Sequence, residues 1–327
     1  MVMKPYERNE AIFNKYQVTE DDVKRMAELA EMDFGTEDLH ALSEEEIFDE
    51  LFKDFDLNEG EFPADPNQMY GVLLLKRVQG QLADAALSTM HDIDSFYDYW
   101  QENKESIRDA AQLSPAIKEM LVLGFRMAIS VGSAASANCL GALYYMGDVV
   151  KQDYAKAAEL YELAMANGCY QSIINLGYIY EYGRIGKPDH AKAYEFYSLA
   201  AALAPSCEAI YKLGDMFSRG RAVKRDMKKA FALYERSLQM AQSDEEYAQP
   251  AIRIAQILID PDCFEYNINP DPLRALALFQ RAEIGLRLDI ADGQVYYKKR
   301  LQEAIEGQEI ARAMVEDEGD GGDFIIV

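Results

Sequence analysis

Histidine, the side chain that most often does acid–base or metal chemistry near neutral pH, occurs only three times in the chain. His40, His91 and His190 lie far apart, and none falls in H-E-x-x-H or another ligand spacing. The four cysteines, Cys139, Cys169, Cys207 and Cys263, are tens of residues apart with no C-x-x-C, so neither a zinc site nor a disulfide framework is expected. Reduced thiols are the expectation. One string, Asp54 to Asp65, has a calcium-loop flavour, because Asp54, Asp56 and Asn58 match the first three ligand positions of an EF-hand. Glu59 stands where that loop needs glycine, Gly60 comes one residue late, and Pro63 strains the rest, so an acidic turn is expected instead. There is no phosphate-binding glycine loop. No catalytic residue, metal or cofactor is therefore expected, and the protein is read as a non-enzyme. A hydrolase built on acidic clusters is the remaining enzymatic alternative.

The chemistry left is that of surfaces. The chain has 327 residues, 49% of them hydrophobic, and a formal net charge of −24. A core is affordable, but a nucleic acid or an anionic membrane is a poor partner for so acidic a chain. A basic protein fits better, as does plain solubility. The opening residues MVMKPYERNE carry charge at once, with no apolar signal core. The most apolar stretch, Leu121 to Leu143, is interrupted by Arg126 and Asn138, so no membrane span is expected and a cytoplasmic setting is.

The elements that would present such a surface are visible as a repeat. Leu140-Gly141, Leu176-Gly177 and Leu213-Gly214 stand 36 and 37 residues apart. Four residues after each Leu comes Tyr144, Tyr180 or Phe217; seven after, Gly147, Gly183 or Gly220; thirteen after, Asp153, Asp189 or Asp226. Three residues beyond the Asp comes Lys-Ala, and eight beyond it Tyr161, Tyr197 or Tyr234. A fourth, degenerate copy has Ile254-Ala255, Leu258, Asp271, Arg274-Ala275 and Phe279, with four extra residues in the loop DPDCFEYNINP. The spacing predicts two amphipathic helices per copy. The first Gly admits the paired helix closely, the second ends the first helix in a left-handed cap, and the Asp caps the second helix.

This pattern resembles the Sel-one-like repeat, a relative of the tetratricopeptide repeat. NLGYIYEYG (Asn175 to Gly183) followed by DHAKAYEFYSLAA (Asp189 to Ala201) carries the likeness best, and it covers residues 132 to 285. The resemblance implies an all-α fold, an α/α superhelical solenoid, serving as an adaptor. Tetratricopeptide geometry further implies that the first helices line a concave face. Its exposed positions would then be Ala135, Asn138, Ala142 and Tyr145; Gln171, Ile174, Tyr178 and Glu181; Glu208, Tyr211, Asp215 and Ser218; and Gln249, Ile252 and Gln256. Such a groove holds tyrosines and carboxylates and no Lys or Arg, which favours a basic protein or peptide. Some of these tyrosines would instead pack between repeats.

The expected organisation has five parts. Residues 1–66 are an acidic helical segment, with 20 carboxylates against 6 cations. Within it Thr19 is placed to cap one helix, and Ser43 with Glu46 another that carries Ile47, Phe48, Leu51, Phe52 and Phe55 on one face. Residues 67–131 are capping helices with an eroded repeat, entered by Ser114-Pro115. Residues 132–290 are the repeats, 291–315 a closing helix, and 316–327 an acidic, flexible tail whose last residues, Phe324 to Val327, are apolar. The leading functional expectation is a protein-binding scaffold using the acidic groove. An acidic inhibitor or immunity-type protein acting through residues 1–66 is the alternative.

Overall fold

A computed structural model describes residues 9–32, 66–291 and 293–320. The Ser43 helix, the Asp54–Asp65 string, His40 and the Phe324–Val327 end lie outside them. The described residues form α-helices, two short 3-10 turns and no strand. The chain divides into two compact units between Asn175 and Leu176.

The first unit opens with α1 (Glu10–Lys15) and α2 (Glu20–Ala30). Thr19 caps α2 in a reciprocal box with Asp22, as its sequence predicts. Both helices are built into the unit. Met26 and Leu29 are buried in its core. Arg126 forks onto Asp22 at 2.7 and 2.9 Å and reaches the Gln17 carbonyl at 3.0 Å. Arg25 forks onto Glu119 at 2.8 and 3.0 Å, and the Gln79 amide donates to the carbonyls of Leu29 and Met32.

Next come α3 (Pro66–Ser88), α4 (Ser95–Glu102), α5 (Lys104–Leu113) and α6 (Pro115–Ser130). Asn103 separates α4 from α5: it ends the first helix and opens the second. Ser114 caps α6 ahead of its first-turn proline. Gly132 after α6 and Gly168 in the first full repeat play the same part. Both glycines are left-handed, and the residue after each donates its N–H five residues back, Ser133 to Ala128 and Cys169 to Ala164, both at 2.9 Å. The first full repeat, α7 (Ala134–Met146) and α8 (Tyr154–Ala166), closes the unit, together with the start of α9 (Gln171–Glu181).

The second unit continues with the rest of α9 and α10 (His190–Leu203), then α11 (Cys207–Arg219), α12 (Met227–Met240), α13 (Asp244–Leu258), α14 (Pro272–Ala291) and α15 (Lys298–Asp320). The closing helix therefore begins at Lys298, not Ala291. Ala291 belongs to α14, and Gly293, with φ +89°, turns the chain. Helix α15 runs to Asp320, through part of the segment expected to be flexible.

Each repeat is held by the same parts. A Cβ on Gly141, Gly177 or Gly214 would lie 2.8, 2.3 or 2.5 Å from the ring of Tyr161, Tyr197 or Tyr234, so only glycine lets the two helices of a repeat meet through that ring. The capping aspartates Asp153, Asp189, Asp226 and Asp271 accept from the N–H three residues on at 2.9 to 3.0 Å. Their own N–H groups return to the carbonyls of Tyr144, Tyr180, Phe217 and Leu258 at 2.9 to 3.1 Å. The recurring lysine has a reason too. Lys156, Lys192 and Lys229 place Nζ over the rings of Tyr144, Tyr180 and Phe217 at 5.0, 4.1 and 4.0 Å. In the fourth repeat Leu258 offers no ring, and Arg274 turns to Glu235 at 2.7 Å. The four extra residues of its loop form a 3-10 turn, Cys263–Tyr266, and the loop buries Cys263 and Ile268.

Candidate protein-binding face

The residues expected to line a groove sit on α7, α9, α11 and α13, the first helices of the repeats. Their exposure differs from the expectation. In the first unit Gln171 is exposed, and Asn138, Tyr145, Ala135 and Ala142 are half-buried, but Ile174 is buried in the core. Asn138 accepts from the Asn175 amide at 3.0 Å, and Tyr145 meets Tyr154 edge-on with ring centroids 5.2 Å apart.

In the second unit Tyr178, Glu208, Ser218, Gln249 and Gln256 are half-buried, whereas Glu181, Tyr211, Asp215 and Ile252 are buried. Glu181 and Asp215 are 2% and 3% exposed, so they are not open carboxylates awaiting a basic partner. The chain neutralises them itself. Glu181 is met by Lys212 Nζ at 2.6 Å, Arg221 Nη1 at 2.8 Å and the Tyr197 hydroxyl at 2.8 Å. Asp215 is met by Arg253 Nε at 3.0 Å, Arg219 Nη2 at 3.0 Å and the Tyr234 hydroxyl at 2.7 Å. Burial alone would raise the Asp215 carboxyl, but Arg253, Arg219 and Lys212 hold it below the ordinary carboxylate range. Burial likewise works against the Lys212 ammonium, and Glu181 overrides it and lifts that pKa. A buried charge left alone would cost far more than these pairs return, so every such charge here has several partners.

Sequence reasoning missed both cations. They occupy the residue just before the Leu or Ile that anchors each first helix, a position held in turn by Cys139, Asn175, Lys212 and Arg253. A signal was present, since each buried carboxylate belongs to a repeat whose successor carries a cation there.

The tyrosines are largely committed as well. The Tyr178 hydroxyl donates to Glu208 Oε1 at 2.6 Å, and its ring stacks on Tyr182 at 5.9 Å. Lys212 Nζ lies 4.6, 5.4 and 5.3 Å from the ring centroids of Tyr178, Tyr182 and Tyr197, so an aromatic cage in this unit is filled by the chain's own lysine. Burial, and then the neighbouring Tyr296, Asp289, Glu208 and Tyr211, push the Tyr297 hydroxyl up. The thiols are quiet. Burial raises Cys139 to about 11, and Cys207 bonds Ser237 and also the Glu246 carbonyl, which Pro250 leaves without its helical donor.

These repeats have a known counterpart. The family model described as Sel1 repeat matches residues 134–169, 171–205, 207–241 and 265–283, so the chain carries Sel1 repeats at four positions. The last match lies almost wholly in the second half of the degenerate copy. Sel1 repeats generally mediate protein–protein interaction and are typically non-catalytic scaffolds. Among solved structures, a Sel1 repeat protein from Oxalobacter formigenes is 18% identical, with 66% of this chain and 84% of that one covered and a TM-score of 0.47. A protective antigen of uropathogenic Escherichia coli strains, displaying an SLR fold, is 20% identical, with 75% and 57% covered and a TM-score of 0.40. No curated protein matches the chain. No helix among the described residues is long and apolar enough to cross a membrane.

Proposed function

We propose that the protein is a non-enzymatic scaffold that holds a protein or peptide segment on the first-helix faces of its repeats. The observation that carries this is the recurrence, on the first helices of successive repeats, of polar and aromatic side chains that keep some exposure: Asn138, Tyr145 and Gln171 in the first unit, and Tyr178, Glu208, Ser218, Gln249 and Gln256 in the second. Such side chains give contact area and hydrogen bonding on rigid elements. A basic partner is favoured by the net charge of −24, which steers a cation from a distance. Because Glu181 and Asp215 are spent internally, that preference acts on encounter more than in the bound complex. The inhibitor reading through residues 1–66 is weakened by α1 and α2, whose Asp22 is already bound to Arg126.

The test is quantitative affinity capture from native lysate with wild type, Gln171→Arg and Gln256→Arg. Gln171 is exposed, so circular dichroism and Tm of Gln171→Arg should stay within experimental error of wild type. Gln256 is half-buried and accepts from Arg253 at 3.1 Å, so Gln256→Arg should lower Tm, and capture is compared at a temperature where all three proteins are folded. The expected result is at least a tenfold loss of a captured protein with one variant or both. Equal capture by all three would remove the first-helix faces as the binding site.

A further inference from the structure

A strongly acidic chain concentrates cations in one place. Residues 219–229 contain six Lys or Arg and one carboxylate, Asp226, which is spent capping α12. The preceding inter-helix loop, residues 182–188, adds Arg184 and Lys187 and has no carboxylate. Both loops belong to the second unit, and the fold ties them together. Arg221 reaches back to Glu181 at the end of α9, and Arg225 reaches forward to the Tyr266 hydroxyl at 3.3 Å.

Fold stability accounts for only part of this charge. Arg219 and Arg221 neutralise buried carboxylates, and Lys229 serves the ring of Phe217. Lys187, Lys224 and Lys228 are exposed. Lys228 sits in the first turn of α12, where a cation opposes the helix dipole, so helix stability gives no reason for it. Beside these cations Arg225 and Lys228 line an open cleft of about 330 Å³ whose far wall carries Tyr266 and Glu265. Phe264 and Tyr182 stand out of the same end of the unit, 64% and 46% exposed.

We infer that this loop edge is a second interaction surface, and that it takes an acidic peptide segment with an aromatic side chain. Charge complementarity selects the carboxylates, which Lys224 and Lys228 meet without breaking any bond of the fold. The cleft and exposed rings accept the aromatic group. A nucleic acid or an anionic membrane is disfavoured, because each carries its negative charge far beyond this short patch, over a chain whose net charge is −24, whereas a peptide ends with the patch. This surface is distinct from the first-helix faces and does not depend on them.

The full chain is titrated into a fluorescein-labelled peptide of about a dozen residues, glutamates around one central tyrosine, and anisotropy is read at low and moderate salt. Wild type is expected to bind, more weakly as salt rises, and Lys224→Glu with Lys228→Glu to weaken it at least tenfold. Lys151→Glu, the matching loop lysine of the first repeat, should leave binding within twofold. Neither exposed substitution removes a contact of the fold, and an unchanged Tm confirms that. The inference fails if the double variant binds like wild type, or if wild type binds the peptide no better than a neutral glutamine analogue. It also fails if phosphatidylserine vesicles or single-stranded RNA bind this edge more tightly than the peptide does.

Discussion

The two units join neighbouring first helices by different chemistry. In the first, the link is a neutral amide pair, Asn175 to Asn138, with a single bond of 3.0 Å. In the second, the links are charged, Lys212 to Glu181 and Arg253 to Asp215, and each carboxylate is also held by an arginine and a tyrosine hydroxyl. An amide is satisfied cheaply, because it carries no net charge out of water. A carboxylate at 2% exposure must be surrounded, and the repeat tyrosine is already in place to do it. Tyr197 and Tyr234 thus act twice, filling the space over a glycine and turning a hydroxyl onto a buried charge. Two carboxylates that resembled part of a groove for a basic partner, Glu181 and Asp215, are the mortar between repeats.

Removing one charge should break the contrast most visibly. Lys212→Met leaves Glu181 buried with only Arg221 and Tyr197. It should destabilise the protein by about 3–5 kcal/mol, toward the lower end because those two partners remain. Urea unfolding followed by circular dichroism reads the loss. Adding Glu181→Leu should restore most of it, since no unpaired carboxylate is then left in the core. A double variant as unstable as the single one would show that packing, not charge pairing, sets the cost.

Acid separates the units less sharply, because protonation leaves a neutral hydrogen-bonding group where truncation leaves an unpaired charge. The Asp215 carboxyl lies below its ordinary value of 3.8 in the folded chain. Its contribution to stability is therefore complete above that value and is lost as the pH falls through the lower folded one. Lys212 has the opposite sign. Its raised pKa adds stability that is present below the ordinary 10.5 and lost as the pH climbs through the folded value. Peptide-resolved hydrogen exchange should show α11 losing protection below about pH 4, with Asp215→Asn flattening that dependence. The Asn138–Asn175 link has nothing to titrate, so α7 should keep its protection over the same range. Equal acid sensitivity in α7 and α11 would put the carboxylate–cation pairs aside as the cause.

How much of this was legible follows the range of each contact. The Leu-Gly pair, the tyrosine and the capping aspartate were read correctly because each acts within its own repeat and recurs at fixed offsets. Lys212 and Arg253 were not, because their partners lie one repeat away and their position changes chemistry from copy to copy. The docking of α1 and α2 was beyond sequence reasoning for the same reason, since Arg25–Glu119 and Asp22–Arg126 join residues that no local pattern connects. The Ala291 boundary failed on a milder point. Helical propensity continues across it, and the one local sign of the turn, Gly293, is a residue that helices also tolerate.

The smallest effect tests whether the neutral link matters at all. Asn175→Ala removes one amide bond and leaves the Asn138 carbonyl oxygen half-buried and able to meet water. A neutral hydrogen bond contributes about 0.5–1.5 kcal/mol, and a water-accessible partner keeps the loss near the bottom of that range. The substitution should lower stability by about 0.5–1 kcal/mol, several times less than Lys212→Met. Asn175→Lys sharpens the point. A cation here stands opposite Asn138, not a carboxylate, so copying the arrangement of the second unit should destabilise the first. If Asn175→Lys instead matched wild type in urea unfolding, water would be reaching this position freely. The difference between the two units would then be one of solvent access, with the chemistry of the link secondary.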